Sequence, residues 1–400
     1  MAGAEEPVDD GESIGRVEPL VLGAEAPCRP ALIDLALELL REATALRASL
    51  PENLAVPVAD VVRSMNCYYS NLIEGHDTHP LEIERALRQD FSDDPEQRDL
   101  QLEAKAHIEV QRWIDEGNLD GRALTVDGVR DVHRRFCERL PEELLRARSR
   151  DGAIDARVVP GAWRETHVRV GRHVPVSPGA IPRFMTRFER AFRGHGPTET
   201  LLAAASAHHR LLWIHPFADG NGRVARLMSH AVLRETLDSA SLWSVARGLA
   251  RHVDEYRRLL AEADLPRRND LDGRGHLGEA ALGDFVEFFL RTAADQVRFM
   301  TSLVRPRELR ARIVGWAATA IEEGELPVGA DRLVREALDG DVARASVPAV
   351  IDRGDRQARR VTSALLETGV LRSSGPKSAL ALGLPAGLAP RLLPGLFPSG

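Results

Sequence analysis

One twelve-residue segment near the middle of the chain combines residue types that could bind and activate a polyphosphate. It reads His215-Pro-Phe-Ala-Asp-Gly-Asn-Gly-Arg-Val-Ala-Arg226. His215 follows an apolar helical stretch and precedes Pro216, which biases its backbone toward an extended conformation and presents the imidazole at the helix end. The residue type and its position predict a general base at His215.

The second half of this segment predicts an anion-binding loop. Gly220, Asn221 and Gly222 open the next helical stretch, where glycines allow successive backbone N–H groups to point toward one anion. Arg223 and Arg226 are three residues apart, so they lie on one face of the first turn. That spacing suits bidentate contacts to phosphate oxygens.

Two further residues complete the constellation. Asp219 supplies a hard oxygen ligand beside the phosphates, which suits Mg²⁺, and Phe217 supplies an apolar anchor for the loop. A single histidine or a single Gly-Asn-Gly is usually structural, but their combination with a carboxylate and two arginines is improbable in a mere connector. The GK[ST] phosphate loop and the HExxH signature do not occur in the sequence.

The whole segment resembles the HPFx(D/E)GNGRxxR motif that defines Fic proteins. The resemblance implies a protein AMP transferase with ATP as co-substrate and Mg²⁺ as cofactor, in which His215 deprotonates a Ser, Thr or Tyr hydroxyl and Asp219 binds the metal. It also implies that Phe217 anchors the loop, that residues 220–222 cradle the phosphates, and that Arg223 and Arg226 hold the β- and γ-phosphates.

A shorter segment, Ser70-Asn-Leu-Ile-Glu-Gly75, resembles the (S/T)xxxE(G/N) inhibitory motif of many Fic proteins. The resemblance implies that Glu74 pairs with Arg226 and so removes the guanidinium that should hold the γ-phosphate. Gly75 is predicted to end the helix that carries the motif. In some relatives the same glutamate helps to remove AMP that is already attached, so removal of AMP remains an alternative activity.

Helical periodicity dominates the elements that must position these motifs. It is predicted over 32–40, 58–70, 81–87, 100–116, 126–140, 181–192, 199–214, from 224 onward, 242–263 and 280–304. Before the C-terminal region, only residues 167–175 favour a β-hairpin. By the resemblance, this hairpin is the flap on which an unidentified target protein docks by β-augmentation; a plain surface hairpin is the alternative.

The C-terminal region resembles a winged helix-turn-helix module. Pro306 is predicted to mark its boundary, and helices over 331–338, 345–351 and 355–367 precede a small β-wing at 369–382. Its arginines, Arg353, Arg356, Arg359 and Arg360, could face DNA. A protein-docking module, or a helix of solvated arginines, is an equally weighted alternative.

Composition limits the remaining functions. The 400 residues are 44% hydrophobic, enough for two or three domains, and the net charge of −7 means that any DNA contact must be local. Three widely spaced cysteines without a CxxC pair predict reduced thiols. The acidic N-terminus and the absence of a stretch of about 18 apolar residues predict a cytoplasmic protein without a membrane segment.

Together these features predict a mainly α fold: a Fic helical core with a short β-hairpin flap, followed by a winged helix-turn-helix domain. The predicted divisions are a flexible acidic arm at 1–30, a helical region at 31–115, a catalytic core at 116–304 and the C-terminal domain at 305–400. Alternatives to AMP transfer are removal of AMP, transfer of another nucleotide, and a nucleotide-sensing DNA-binding regulator. Self-modification and homodimerisation are further expectations.

Overall fold

The computed structural model describes residues 7–148 and 155–398 and is mainly helical, as predicted. Its described part contains sixteen α-helices. The first eight are α1 (Arg29–Ser49), α2 (Glu52–Glu74), α3 (Pro80–Leu87), α4 (Pro95–Asp115), α5 (Val126–Cys137), α6 (Ile181–Ala191), α7 (Pro197–Ile214) and α8 (Asn221–Leu237). The others are α9 (Val245–Arg251), α10 (Val253–Ala263), α11 (Glu279–Leu303), α12 (Pro306–Glu322), α13 (Ala330–Ala337), α14 (Val347–Ile351), α15 (Asp355–Glu367) and α16 (Ala389–Leu392).

Two of the differences between the observed and the predicted helices have a local cause. The single helix expected over 242–263 is divided into α9 and α10, because the backbone of His252 between them leaves the helical region at φ −121° and ψ 38°. The helix α12 was not predicted, because Pro306 was interpreted as a boundary. Proline is well tolerated in the first turn of a helix, and Pro306 is the first residue of α12.

The β-structure is limited to short antiparallel pairs. Strand β1 (Arg146–Arg148) pairs with β2 (Asp155–Arg157), and β3 (Leu371–Arg372) pairs with β4 (Ala381–Leu382). The first pair was missed because its three-residue strands lack apolar alternation. The hairpin predicted at 167–175 is reduced to one tight turn, in which Val170 and His173 exchange two backbone hydrogen bonds of 3.0 Å.

The acidic N-terminal segment packs against the helices, so the expectation of a flexible arm over residues 1–30 is wrong for the described part. Val17 and Leu20 are fully buried. The Glu12 carboxylate accepts hydrogen bonds from the backbone N–H and the hydroxyl of Ser177, each at 2.6 Å. Isolated apolar residues among charged ones are sufficient to anchor this segment, although they show no periodicity. The first six residues lie outside the described part.

Two apolar clusters form the interior, and they do not follow the predicted domain boundaries. One cluster contains side chains from Leu22 to Phe397, including α1, α2, α11 and the C-terminal helices. The other surrounds α5 to α8. The boundary predicted at 304/305 therefore does not separate two cores: the Tyr69 hydroxyl of α2 donates to the Leu396 carbonyl at 3.2 Å. None of the described helices has the length and apolar composition to span a bilayer.

The C-terminal elements follow one another in the order α13, a bridge at Val342, α14, α15 and the β3–β4 hairpin. Val342 pairs with Leu380, so the hairpin gains a third short partner. This order is the one expected of a winged helix, and the winged-helix assignment stays a prediction.

Candidate active site at the start of α8

The base predicted at His215 ends α7 in a left-handed conformation, with φ 52° and ψ 60°. The expectation of an extended backbone is therefore wrong. The residue caps α7, and its N–H donates to the Leu211 carbonyl at 2.9 Å, which requires the chain to turn back on itself. A positive φ is uncommon for a residue with a side chain, so neighbouring contacts must hold this conformation.

The His215 imidazole is half-buried, with Nδ1 lying 3.3 Å from the Leu212 carbonyl oxygen. This contact favours the tautomer with the proton on Nδ1, which leaves Nε2 as a proton acceptor. Burial and the nearby Arg164 guanidinium lower the pKa of His215 to about 4. The ring is therefore neutral at physiological pH, as a general base must be.

Two neighbouring residues fix the loop after His215. Phe217 is fully buried, and its ring stacks on His133 with centroids 3.9 Å apart and an 8° angle between the planes. The Asn221 side chain accepts from the Phe217 N–H at 3.0 Å and donates to the Phe217 carbonyl at 2.9 Å. The Asn221 carboxamide therefore binds the loop that follows His215.

The predicted anion cradle coincides with the N-terminus of α8. Gly220 precedes the helix in the left-handed conformation, with φ 79°, and the first N–H groups of any helix lack partners within it. A Cβ on Gly222 would overlap the Oε1 of Glu74. The Glu74 carboxylate thus lies directly against the cradle.

Arg223 is buried between two carboxylates. Its Nη2 lies 2.9 Å from the Asp219 carboxylate and its Nη1 lies 3.3 Å from Glu103. The guanidinium also lies over the Phe136 ring, 4.7 Å from its centroid. Burial acts in the opposite direction, but Asp219, Glu103 and Glu74 together raise the pKa of Arg223. It is a fixed positive charge beneath the cradle.

Arg226 binds the segment that was predicted to be inhibitory. Its Nε donates to the Ser70 hydroxyl at 2.8 Å, its Nη2 donates to the Ser70 carbonyl at 3.2 Å, and Nη2 forms an ion pair with Glu74. As predicted, Gly75 caps the end of α2, with φ 93°. The Arg226 side chain is 2% exposed and that of Glu74 is 36% exposed, so the guanidinium is buried and the carboxylate is partly open to solvent.

The charge of Glu74 is maintained by this environment. Burial would raise the pKa of its carboxyl group, but the Arg226 and Arg223 guanidinium groups outweigh that effect and lower the pKa. Glu74 is therefore ionised at neutral pH and places a negative charge beside the cradle.

Asp219 has the exposure and surroundings that a phosphate-bound cation requires. Its side chain is 53% exposed, and its Oδ2 lies 2.9 Å from the Arg223 Nη2. The described residues hold no cluster of three or more His, Cys, Asp or Glu side chains that could bind a metal alone. Mg²⁺ commonly binds one or two carboxylates together with substrate phosphates, so Asp219 fits that type of site.

Three residues that contact the site lie outside the sequence motifs and were not predicted. Glu103, on α4, holds Arg223 and also accepts from His76, whose Nδ1 lies 2.8 Å away. His133, on α5, stacks on the loop anchor, and Arg164 donates to the His215 carbonyl at 2.8 Å. Each comes from a separate part of the chain, and no local pattern distinguishes it from other charged or buried residues.

The turn within 167–175 borders the same site. Val170 and Val174 are exposed, whereas the His173 ring is half-buried, with Nε2 2.7 Å from the Trp213 carbonyl oxygen. This contact joins the turn to α7, two residues before the candidate base.

Comparisons with known proteins agree with this arrangement. Residues 123–233 match the Fic/DOC family. The protein adenylyltransferase Fic of Nematostella vectensis is 30% identical over 189 residues, covering 46% of this chain and 40% of that protein. The Drosophila melanogaster protein of the same name is 29% identical over 168 residues, covering 42% and 31%. The chain thus spans less than half the length of these relatives.

A similar fold occurs in a solved structure of a Fic family protein from Desulfovibrio desulfuricans G20. The two chains superpose with a TM-score of 0.53 and 17% identity, covering 90% of this chain and 98% of the other. At this identity the likeness shows a shared fold.

Proposed function

We propose, on the premise that residues 123–233 are a domain of the Fic/DOC family of nucleotidyltransferase-type enzymes, that this protein transfers AMP from ATP to a hydroxyl group of a protein. The observation that carries the proposal is the placement of a neutral histidine, His215, at one end of a loop whose other end is a glycine-lined helix N-terminus. A base and an anion cradle are thereby held on one short, rigid loop.

The proposed reaction is an in-line displacement at the α-phosphorus of ATP. The acceptor hydroxyl gives its proton to Nε2 of His215, its oxygen bonds to the α-phosphorus, and the bond to the β-phosphate breaks to release pyrophosphate. Backbone N–H groups of the cradle and the charge of Arg223 bind the phosphates and stabilise the developing negative charge. General-base catalysis typically contributes about 10²–10⁴-fold to such a rate.

Asp219 would hold the Mg²⁺ that accompanies ATP. When bound, the ion would neutralise phosphate charge. The Asp219 side chain lies beside Arg223 at 2.9 Å, so the same carboxylate both orients this guanidinium and remains accessible to a cation.

The resting enzyme is proposed to be autoinhibited by Glu74. Arg226 is engaged by Ser70 and Glu74, and the Glu74 carboxylate lies against Gly222, so an anion already occupies the space beside the cradle. ATP then binds without the guanidinium that should hold its γ-phosphate in a productive position. The purified wild-type protein is expected to have low activity.

The proposal is tested by incubating the Glu74→Gly protein with ATP and Mg²⁺, alone and in a cell lysate, and measuring intact masses. Addition of AMP is expected, and it should vanish in Glu74→Gly/His215→Ala. His252→Ala on the same background is the matched control, since His252 is an exposed histidine between α9 and α10. Normal ATP binding without any added nucleotide would contradict the proposal.

Parallel incubations separate the related reactions. An added monophosphate from another nucleotide would indicate a different co-substrate, and loss of AMP from a labelled acceptor would indicate the reverse activity. The exposed turn at 167–175 is the proposed docking strand for the target protein, and modification of the enzyme itself would appear in the same spectra. Sedimentation of the sample tests the expected homodimer.

A second candidate function, binding of duplex DNA by the C-terminal elements, is favoured by the distribution of charge. Residues 344–378 carry seven arginine and lysine side chains and three carboxylates, whereas the whole chain has a net charge of −7. On α15, Arg356, Arg359 and Arg360 are exposed, and within the described residues none of them forms a salt bridge, unlike Arg353 with Asp352. Unpaired guanidinium groups on one helix suit phosphate contacts.

Fluorescence anisotropy with a mixed-sequence duplex at two salt concentrations tests this candidate. Alanine at Arg356, Arg359 and Arg360 is expected to weaken binding and reduce its salt dependence by up to about three phosphate contacts. The control replaces three exposed but paired arginines, Arg258, Arg291 and Arg305. DNA binding that is absent, or equal in the two triple variants, would favour protein docking or solvation instead.

A further inference from the structure

A buried arginine outside the motif connects the candidate base to the segment that carries the turn. Arg164 is 3% exposed. Its guanidinium donates to the His215 carbonyl at 2.8 Å, to the Thr166 carbonyl at 2.9 Å and to the Val176 carbonyl. Its backbone N–H donates to the Pro216 carbonyl at 2.9 Å. One side chain therefore joins the loop after α7 to both ends of the turn.

The electrostatics of Arg164 show that these carbonyls are its main partners. Burial lowers its pKa to about 10, and Glu12 opposes this shift only at a distance, so the group is still charged at neutral pH. Among the described residues no carboxylate forms an ion pair with it. Burying an unpaired charge is costly unless it is hydrogen-bonded, and here each of the three guanidinium nitrogens donates to a main-chain oxygen.

We infer that Arg164 is a positioning residue, which holds His215 in its left-handed conformation and ties both ends of the 167–175 turn to the same loop. The inference rests on the proposed AMP transfer. A left-handed residue before a proline needs external support, and the hydrogen bond to the His215 carbonyl supplies it. Because the same guanidinium binds Thr166 and Val176, the base and the proposed docking strand are held as one unit.

A displaced base slows chemistry more than it weakens nucleotide binding. Arg164 has no hydrogen bond to residues 220–226, so the anion cradle does not depend on it directly. In Glu74→Gly/Arg164→Met, kcat for AMP addition is expected to fall by about 10²-fold, as for a reacting group misplaced by about 1 Å, with little change in KM for ATP. Hydrogen exchange should accelerate at 165–176 and around His215.

Two companion variants distinguish positioning from a general loss of packing. Arg164→Lys keeps the charge and part of the donor set, so it should restore part of kcat and protection. Arg130→Met is the matched control: the Arg130 Nε donates to the Gly161 carbonyl at 2.8 Å and its guanidinium lies 5.3 Å from the Trp163 ring centroid. It removes a guanidinium from the same neighbourhood without releasing the turn or His215.

The inference is overturned if Arg164→Met and Arg130→Met have the same kcat and the same exchange rates, or if Arg164→Met raises KM for ATP while kcat is unchanged. If the Glu74→Gly parent itself adds no AMP, the proposed function fails, and hydrogen exchange around His215 still decides whether Arg164 holds the loop. If Arg164→Met does not fold, the same comparison is made between Arg164→Lys and Arg130→Lys.

Discussion

Removal of the Glu74 carboxylate offers the most direct test of the proposed autoinhibition. In the structure this carboxylate pairs with Arg226 and lies against Gly222. After Glu74→Gly, Arg226 keeps its bonds to the Ser70 hydroxyl and carbonyl, so the guanidinium should stay in place. It is then free to bind the γ-phosphate.

The size of the effect follows from the interaction that is removed. A hydrogen bond to a charged group contributes about 1.5–3 kcal/mol, and each ~1.4 kcal/mol corresponds to a tenfold change in affinity. Since the Glu74 side chain is 36% exposed, we expect the lower part of this range. ATP-Mg should bind roughly 10- to 50-fold more tightly to Glu74→Gly, and AMP transfer at low ATP should rise by at least that factor.

Calorimetric titration in a His215→Ala background measures ATP affinity without turnover, and labelled ATP measures transfer in the parent. Glu74→Gln should give an intermediate result, because it keeps the shape of the side chain and removes its charge. Glu52→Gly is the matched control, since it makes the same change at the exposed start of α2, where Glu52 pairs with Arg47 at 2.8 Å. Equal ATP affinity in Glu74→Gly, Glu52→Gly and the parent would refute the reasoning.

Three further outcomes are expected. In Glu74→Gly, kcat/KM for ATP should stay level from pH 8 to about 5.5, because a pKa lowered to about 4 keeps His215 unprotonated in that range. A fall of kcat/KM with a midpoint near the ordinary histidine pKa of about 6.5 would contradict this. Asn221→Ala leaves the buried Phe217 N–H unpaired, so urea unfolding should show a loss of about 1–3 kcal/mol, against less than about 0.5 for the exposed Asn118→Ala. Removing 305–400 should abolish a cooperative thermal transition in circular dichroism, because one apolar cluster extends into this region; an unchanged melting curve would argue for an independent domain.

The sequence allowed prediction of those parts of the site that depend on neighbouring residues. The turn before α8 and the glycine cap at Gly75 both follow from local backbone preferences, and the structure contains both. Glu74 and Arg226 are 152 residues apart. Their meeting was expected only because two motifs were interpreted together through a resemblance.

The features that were missed depend on tertiary contacts. A residue before proline prefers an extended backbone, but His215 adopts the left-handed conformation because it caps α7. Arg164, which is distant in sequence, donates to the His215 carbonyl. Glu103 reaches Arg223 from α4, which no spacing rule indicates. The acidic composition of the N-terminal segment predicted a flexible arm. Two buried apolar residues, Val17 and Leu20, anchor the segment instead.

The packing of α2 determines how a ligand of the C-terminal elements could affect the active site. This helix ends at Glu74, and along its length Asp60 pairs with Arg63 and with Arg372 of β3, while Tyr69 binds the Leu396 carbonyl. A ligand of α15 therefore acts on ATP binding only if it favours a different position of α2. By linkage, ATP must then change the affinity for that ligand by the same factor. Equal duplex affinity with and without ATP would show that the C-terminal elements hold α2 in place without regulating it.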